Sequence, residues 1–221
     1  MSEQKRRIEG IFLDFDGTIV DSSEAYFEAA TVACQKIGCA PLDRRASLEI
    51  PKRLELQLPL KGVPPRDASR FLEVYLKAFY EIAIEKSRPF FNVNEALLRL
   101  SMKAKLALVT MRFTSGTAVV RELRHFGLDR YFTYVVTGLD APKPKPSPEA
   151  LVRAAECLNV RLSNCVVVGD SVSDVRAGKA VGIAAVSVLS GLFSREELMR
   201  ENPDLILETV KELPRYVDFF E

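Results

Sequence analysis

The chain has 221 residues, a mass of 24.7 kDa and a formal net charge of +1 at pH 7. Because 31 basic residues balance 30 acidic ones, no overall positive field favours binding to nucleic acid or to a membrane surface. No segment reaches the roughly 18 apolar residues that a membrane span needs, and the polar start MSEQKRRIEG lacks the apolar core of a signal peptide. We therefore expect a soluble, cytoplasmic protein with one large domain, or one domain and a small insert.

The cysteines and the single histidine form no recognisable metal or redox motif. The four cysteines, Cys34, Cys39, Cys157 and Cys165, show no CxxC spacing, so we expect them to be reduced and buried as small apolar residues. His125 lies near a predicted helix end, where a surface or capping role is expected. A Ser-His-Asp or Cys-His catalytic site is therefore not expected.

The first predicted element is a buried strand, IEGIFLDF, which ends in acidic residues. Asp14 and Asp16 are two positions apart, so on a strand they would point to the same face. Two carboxylates at such close range repel each other unless a cation or a proton lies between them. A surface turn is the alternative, because Asp and Gly also favour turns.

A long helical segment without strand-like runs follows, from about residue 21 to residue 88. It contains SEAYFEAATVACQKIG, a stretch through IPKRLELQLPL, and RDASRFLEVYLKAFYEIAIEK. An insertion after a strand of an α/β sheet lies over the edge where such sheets bind ligands. We therefore predict a small helical cap domain at 21–88 and a core domain made of 1–20 and 89–221.

Beyond the insertion, strand-like runs alternate with helical patterns. The runs are AKLALVTM, YFTYVVTG, NCVVVGD and IAAVSVLS. Helices are predicted at 114–126, at 147–158 with Ser147 as N-cap, and at 174–181, and SREE predicts a capping box from Ser194 to Glu197. Because the runs are almost continuously apolar and alternate with helices, the sequence predicts an α/β fold with a doubly wound parallel sheet.

Polar residues gather where the predicted strands end. They are Asp14, Asp16, Gly17 and Thr18 after the first strand, Thr110 and Arg112 after the second, Lys143 and Lys145 in the loop APKPKPSPE, and Asp170 and Asp174 in GDSVSD. The carboxyl ends of parallel strands meet at one edge of a sheet. Carboxylates suit Mg²⁺, whereas lysine, hydroxyl and backbone N–H groups suit a phosphoryl group. Together they predict a site for a divalent metal and a phosphate.

Each of these residues also has an ordinary structural explanation. Thr110 could simply end a strand, Asp170 could be a turn residue, and Asp174 could be a first-turn acid favoured by the helix dipole. Lys143 and Lys145 could lie in a solvated loop stiffened by prolines. The coincidence of all of them at four strand ends favours the active-site interpretation.

Four segments in this order resemble the motifs of one known family. DFDGTIVDS, VTMR, KPSPEALVRAA and VVVGDSVSDVRAGKAVG are similar to the four motifs of the haloacid dehalogenase superfamily, in its phosphatase branch with a helical cap. FGLDRYFTYVVTG resembles the linking segment of the phosphoglycolate-phosphatase-like and β-phosphoglucomutase-like subgroup. The resemblance covers essentially the whole chain, most loosely in the helical insertion. It implies the fold that the patterns predict.

The resemblance also implies roles for the residues of the first three motifs. Asp14 would be the nucleophile. Asp16 would be the general acid and base, with its backbone carbonyl on the metal. Thr110 would bind phosphate through its hydroxyl. Lys145 is in the family position for the phosphate-binding lysine, and Lys143, which is also followed by proline, is the alternative.

The remaining roles concern metal and substrate. Asp170 would be a direct Mg²⁺ ligand, and Asp174 a ligand or a support for metal-bound water. Substrate contacts are expected from Gly17, Thr18 and Arg112. Lys52 and Arg53 in LEIPKRLEL occupy the place of a specificity loop and would bind a carboxylate or second phosphate, unless they belong to a solvated helix face.

The resemblance thus predicts an enzyme. The expected reaction is Mg²⁺-dependent hydrolysis of a small phosphorylated metabolite through an aspartyl-phosphate, with a phosphoglycolate-type substrate preferred. The alternatives are a phosphosugar mutase of the β-phosphoglucomutase type, an inorganic pyrophosphatase, and a regulatory protein without turnover. The protein would act as a monomer or a homodimer.

Overall fold

The computed structural model describes residues 7–220, in which strands and helices alternate from Arg88 onward and three helices follow Asp21 in succession. The strands are β1 (Gly10–Leu13), β2 (Val20–Asp21), β3 (Arg88–Pro89), β4 (Lys105–Val109), β5 (Tyr134–Val136), β6 (Cys165–Gly169), β7 (Ala184–Val188) and β8 (Leu205–Leu207). The helices are α1 (Ser23–Ile37), α2 (Arg44–Glu55), α3 (Ala68–Lys86), α4 (Val93–Ser101), α5 (Gly116–His125), α6 (Glu149–Leu158), α7 (Val172–Ala180) and α8 (Arg195–Arg200).

The chain divides into two compact units. Asp21–Arg88 forms the second unit, and the residues that flank it form the first. Helices α1, α2 and α3 belong to the second unit, whereas the short strands β2 and β3 pair with each other where the chain passes between the units. That the helical unit acts as a cap stays a prediction. Within residues 7–220, no helix combines the length and apolar character needed to cross a membrane.

The first unit is built on one six-stranded sheet. Its strand order is β5-β4-β1-β6-β7-β8, and every neighbouring pair is parallel. The predicted doubly wound α/β fold is therefore confirmed. The edge strand β8 was not predicted, because its short run LIL is flanked by acidic residues and carries little of a strand's pattern.

Both faces of this sheet are covered by helices. Ile11 and Leu13 of β1 are buried in one apolar cluster together with Leu123 of α5. Phe12, which points to the opposite face, is buried in a second cluster together with Leu151 of α6. Burial on both faces is why these strands are almost continuously apolar in sequence.

The second unit has its own apolar core, shared by α1, α2 and α3. Small residues of α1, among them Ala29 and Ala33, and aromatic residues of α3, among them Phe71 and Phe79, are buried in one cluster. Tyr26 of α1 stacks on Phe79 with ring centroids 5.1 Å apart. The small side chains of α1 leave room for the aromatic side chains of α3, and this allows the two helices to pack closely.

Several predicted helix boundaries need correction. Helix α6 begins at Glu149 with Pro148 as its N-cap, so the prediction of Ser147 as N-cap is wrong. The Ser147 N–H instead donates to the Pro144 carbonyl in a turn, while the Pro148 carbonyl accepts from Val152, 3.0 Å away, as an N-cap carbonyl does.

The other helix ends of the first unit differ less. Helix α7 begins at Val172, before the predicted start at 174, because Ser171 serves as its N-cap. The predicted capping box of Ser194 and Glu197 at the start of α8 is confirmed. Helix α4 was not predicted at all, and α5 spans a shorter range than the predicted 114–126.

Candidate active site

Three strands of the sheet deliver polar residues to the same edge. Asp14 follows β1, Thr110 follows β4 and Asp170 follows β6. The ladder continues into these residues, since the Asp14 N–H donates to the Val168 carbonyl at 2.9 Å and the Thr110 N–H donates to the Val136 carbonyl at 2.9 Å. The backbone positions of Asp14 and Thr110 are therefore fixed by hydrogen bonds to the neighbouring strands.

A cluster of three carboxylates lies at this edge. Asp14, Asp170 and Asp174 each offer one oxygen, and these oxygens lie within 4.8 Å of one another. Because carboxylates at this distance repel each other strongly, the cluster requires positive charge nearby. Oxygen donors of this kind are those that hard divalent cations such as Mg²⁺ prefer, so the cluster fits such a cation.

Lys145 provides part of the positive charge. Its ammonium nitrogen lies 2.8 Å from Asp14 Oδ1 and 2.6 Å from Asp174 Oδ1, and donates to the Val109 carbonyl at 2.9 Å. Burial lowers the pKa of this ammonium, but Asp14 and Asp174 together raise it above its usual value, so Lys145 stays charged. Lys143, the alternative in the sequence, is exposed.

The pKa of Asp14 is raised by burial and by the neighbouring carboxylates. Burial raises that pKa to about 7, Lys145 opposes the rise, and Asp174 and Asp16 add to it. One ammonium does not balance three carboxylates. A divalent cation at the cluster would remove this imbalance and keep Asp14 ionised at neutral pH.

Asp170 is held by groups from two other loops. The Thr18 hydroxyl donates to Asp170 Oδ1 at 3.3 Å, and the Leu192 N–H donates to Oδ2 at 3.2 Å. Two glycines leave room for this carboxylate: a Cβ on Gly17 would lie 2.5 Å from Asp170 Oδ2, and a Cβ on Gly191 only 1.7 Å from it. Gly17 also has a φ of +79°, which other residues rarely adopt.

Asp174 both faces the cluster and caps a helix. Its Oδ2 accepts hydrogen bonds from the Ser171 hydroxyl at 2.8 Å and from the Ser171 N–H at 3.3 Å, which completes the capping box of α7. The first-turn helix role considered for Asp174 is therefore real, and it coexists with the contact of Oδ1 with Lys145.

Asp16 takes part in a separate buried ion pair. Arg112 donates to Asp16 Oδ2 from Nε at 2.7 Å and to Oδ1 from a terminal nitrogen at 2.6 Å. The same guanidinium donates to Glu122 of α5 and lies over the Phe15 ring, 4.7 Å from its centroid. Arg112 is only 6% exposed. Its position, like that of Asp16, is therefore determined by an extended contact network.

Glu122 is a member of the site that the sequence analysis missed. It is 5% exposed and lies on α5 among apolar residues such as Val119 and Leu123. Burial raises the pKa of Glu122, and Arg112 opposes that rise. An acid on the apolar face of a predicted helix was a signal for a buried partner, because unpaired carboxylates are rarely buried.

The remaining residues predicted to bind substrate have partners within the protein. The Gly17 N–H donates to the Val20 carbonyl at 2.8 Å, and the Thr18 hydroxyl donates to Asp170 as described. Thr110 is 4% exposed, and its hydroxyl accepts from the Arg112 N–H at 3.2 Å. Their roles toward a substrate stay predictions.

Lys52 and Arg53 lie in the last turn of α2, in the second unit. Arg53 Nε is 4.0 Å from Glu49 Oε2. Among residues 7–220, no hydrogen-bond acceptor is present for this buried nitrogen. Whether these cations bind substrate stays a prediction.

Comparison with known proteins identifies the family. A model of the haloacid dehalogenase-like hydrolase family matches residues 11–188. The chain therefore belongs to this family and is an enzyme of the hydrolase class.

Individual relatives agree with this assignment. The chain is similar to a phosphoglycolate phosphatase of Pseudomonas syringae pv. tomato, with 29% identity across 92% of this chain and 77% of the relative. It is similar to that of Escherichia coli, with 28% identity across 93% and 91%. Its fold resembles a haloacid dehalogenase-like hydrolase of Streptococcus pneumoniae, with a TM-score of 0.80 and 20% identity across 95% and 98% of the two chains.

Proposed function

We propose that this hydrolase is a Mg²⁺-dependent phosphatase of small phosphomonoesters, acting through an aspartyl-phosphate on Asp14. The observation that carries the proposal is the position of Asp14, with its Oδ1 only 2.8 Å from the Lys145 ammonium and within a carboxylate cluster suited to a cation. The similarity of the chain to phosphoglycolate phosphatases favours a substrate of the phosphoglycolate type.

Asp14 is the proposed nucleophile. Its carboxylate attacks phosphorus, a bond forms between a carboxylate oxygen and phosphorus, and the bond from phosphorus to the leaving oxygen breaks. Lys145 orients Asp14 and neutralises charge on the phosphoryl oxygens, and the Thr110 hydroxyl contributes a further hydrogen bond. Because Lys145 is 2% exposed, water screens this charge little.

Asp14, Asp170 and the backbone carbonyl of Asp16 would hold Mg²⁺, with Asp174 as a ligand or support. When bound, the ion supplies positive charge to the phosphoryl group. This chain contributes the rigidity of the cluster: Asp170 is held by Thr18 and Leu192, and Asp174 is held by Ser171. Ligands fixed in this way need little rearrangement when a cation binds.

Asp16 is proposed to protonate the leaving oxygen and afterwards to activate the water that hydrolyses the aspartyl-phosphate. In the present arrangement both of its oxygens accept hydrogen bonds from Arg112. A protonated carboxyl group cannot keep this two-bond contact, so the acid step requires the pair to open. The base step needs a carboxylate, and the pair is suited to orient one.

Substrate selection is proposed to involve the second unit. A phosphoglycolate-type substrate carries a carboxylate in addition to its phosphate, and Lys52 and Arg53 offer two cations for it. The buried Nε of Arg53, which has no acceptor among the described residues, supports this assignment. Buried donors usually have a partner, and a bound anion would provide one.

The test is a substrate screen on the purified protein with Mg²⁺. We expect phosphate release from 2-phosphoglycolate, and none from a folded Asp14→Asn variant, since an amide is not a nucleophile of useful strength. Conversion of β-glucose 1-phosphate to its isomer without phosphate release would indicate a mutase instead. Phosphate release from pyrophosphate alone would indicate a pyrophosphatase. No turnover of any phosphate compound would overturn the proposal.

A further inference from the structure

Two of the four cysteines lie together at the end of helix α1. The helix ends at Ile37, and Gly38 follows in the left-handed conformation with φ +74°. The N–H groups of Gly38 and Cys39 both donate to the Cys34 carbonyl, at 2.9 Å and 3.2 Å. A hydrogen bond that returns from the residue after a left-handed glycine to the last helical turn is the hallmark of a Schellman-type helix end.

This backbone geometry places two side chains next to each other. In a Schellman-type end, the residues joined by the longer hydrogen bond commonly make an apolar side-chain contact. Here both residues are cysteines with free thiols, and the Cys39 thiol is among the groups that raise the pKa of Cys34, as a neighbouring side chain would. Because glycine adopts the left-handed conformation at no steric cost, the local sequence itself maintains this arrangement.

We propose that Cys34 and Cys39 are a thiol pair that hydroperoxides oxidise to an intramolecular disulfide, a reversible modification of the helical unit. In the first step the Cys39 sulfur attacks a peroxide oxygen. The O–O bond breaks, water or an alcohol leaves, and Cys39 becomes a sulfenic acid. In the second step the Cys34 sulfur attacks the Cys39 sulfur, the S–O bond breaks, and the hydroxyl group leaves as water with the Cys34 proton.

Electrons and protons balance in this reaction. Two thiols lose two electrons and two protons, and one hydroperoxide accepts the electrons as its O–O bond is reduced. A dithiol reductant reverses the change by thiol–disulfide exchange. The hydrogen bond of 3.2 Å from the Cys39 N–H to the Cys34 carbonyl keeps the two backbone segments close together, and a disulfide requires such proximity.

The environments of the two thiols predict which of them is oxidised first. Cys39 is half-buried, whereas Cys34 is only 2% exposed. Burial, together with the neighbouring Cys39 thiol, raises the pKa of Cys34 to about 11. Cys34 is therefore sheltered and protonated at neutral pH, and a peroxide meets Cys39 first. Cys34 then acts as the resolving thiol.

The other two cysteines provide internal controls. The half-buried Cys157 thiol raises the pKa of the neighbouring Tyr134, and the Cys165 thiol donates to the Arg161 carbonyl at 3.3 Å. Burial also raises the pKa of Cys165 to about 12. Within the described chain, neither of them has a contact with a thiol that matches the Cys34–Cys39 contact.

The test uses the full-length protein treated with hydrogen peroxide, then denatured, alkylated and digested for mass spectrometry. We expect the wild type to retain two of its four thiols and to yield a Cys34–Cys39 cross-link that lacks two hydrogens and disappears on reduction with dithiothreitol. A Cys157→Ser variant should form the same cross-link. A Cys39→Ser variant should form no intramolecular disulfide.

A second variant identifies the first site of oxidation. Cys34→Ala removes the resolving thiol with little change in volume, and dimedone should then label a sulfenic acid at Cys39. Retention of all thiols in the wild type, disulfides to Cys157 or Cys165, or equal loss of thiols in Cys39→Ser would each overturn the proposal. The thiol count does not depend on phosphatase activity, so this test is independent of the proposed function.

Discussion

Both carboxylate oxygens of Asp16 accept hydrogen bonds from the guanidinium of Arg112, at 2.7 Å and 2.6 Å. The pair is largely buried, and Glu122 holds the other side of the same guanidinium. Arg112 is therefore better placed to position the proposed acid and base than to wait for a substrate. The earlier prediction of Arg112 as a substrate ligand is compatible with this only if the Asp16 pair opens during turnover.

A lysine in place of Arg112 tests this positioning role. Arg112→Lys keeps the positive charge beside Glu122 but cannot reproduce the two parallel hydrogen bonds to Asp16. We expect kcat for an alkyl phosphate to fall by about 100-fold, the loss typical of a misplaced catalytic group. With p-nitrophenyl phosphate, whose leaving group needs little protonation, the rate of the p-nitrophenol burst should fall much less.

Arg124→Lys is the matched control for this variant. Arg124 lies on the same helix as Glu122 but is exposed, and its Nε lies 3.1 Å from Asp129 Oδ2. Its replacement should leave the turnover of both substrates unchanged, since exposed ion pairs contribute little to stability. Equal losses in the phosphorylation step for alkyl and aryl phosphates, in a folded Arg112→Lys protein, would show that Arg112 does not act through Asp16.

Asp16→Asn separates the two chemical steps. An alkoxide leaves poorly without a proton, so hydrolysis of an alkyl phosphate should fall by roughly 10²- to 10⁴-fold. An aryl phosphate should still phosphorylate Asp14, but breakdown of the aspartyl-phosphate should be slow because its base is missing. Rapid-mixing measurements should therefore show a burst of p-nitrophenol followed by slow turnover. If burst and steady state fall equally, Asp16 has a structural role only.

The carboxylate cluster predicts metal dependence. EDTA should abolish activity and Mg²⁺ should restore it, whereas Ca²⁺ should support little turnover because its bonds are longer and its coordination number is higher. Asp170→Asn should raise the Mg²⁺ concentration for half-maximal activity more than Asp174→Asn does. Full activity of metal-free protein would contradict the assignment.

An alanine at 174 is a less informative probe than an asparagine. Asp174→Ala removes the side chain that completes the capping box with Ser171 and also contacts Lys145. It should therefore lower the unfolding free energy by about 1 kcal/mol from the lost cap alone. Asparagine keeps an acceptor for the helix end, so its effect on Mg²⁺ dependence can be measured in a folded protein.

Glu9 should make stability depend on pH in acid. Its carboxylate accepts hydrogen bonds from the backbone and side chain of Arg161 and from Asn164, and these lower its pKa from 4.5 to about 2. Since the pKa is lower in the folded state, the stabilisation is present above pH 4.5 and is lost as the pH falls toward 2. Glu9→Gln should be less stable than the wild type at pH 7, with the difference vanishing in strong acid.

Urea unfolding of both proteins at several pH values measures this effect. Glu95→Gln is a suitable control, because Glu95 is 59% exposed and pairs with Arg99 along its own helix. A difference between Glu9→Gln and wild type that is the same at pH 7 and at pH 2 would contradict the prediction.

The core of the fold was predictable because its strands are buried on both faces. The apolar runs that became β1, β4, β5, β6 and β7 could be recognised without long-range information. The three-residue edge strand β8 lacks such a run, and only its pairing with β7 makes it a strand. The start of α6 was missed for a related reason: the Ser147 N–H enters a turn with Pro144, which the capping pattern alone does not reveal.

At the site, residues next to strand ends were predictable and their partners were not. Asp14 and Asp170 could be placed near each other because parallel strands end at one edge. Glu122 comes from the middle of a helix, and its contact with Arg112 depends on side-chain directions that the motif does not contain. The supporting contact from Leu192 is a backbone N–H, which any residue type could provide.

Gly191 limits how this enzyme can diverge, although it carries no functional group. A Cβ there would fall 1.7 Å from Asp170 Oδ2, so every other amino acid would push a carboxylate out of the cluster. Lineages that change their substrate must therefore keep Gly191 and accumulate substitutions elsewhere. In a mutational scan, position 191 should tolerate as little as Asp14 does, while most positions on the surface of α2 should accept many replacements.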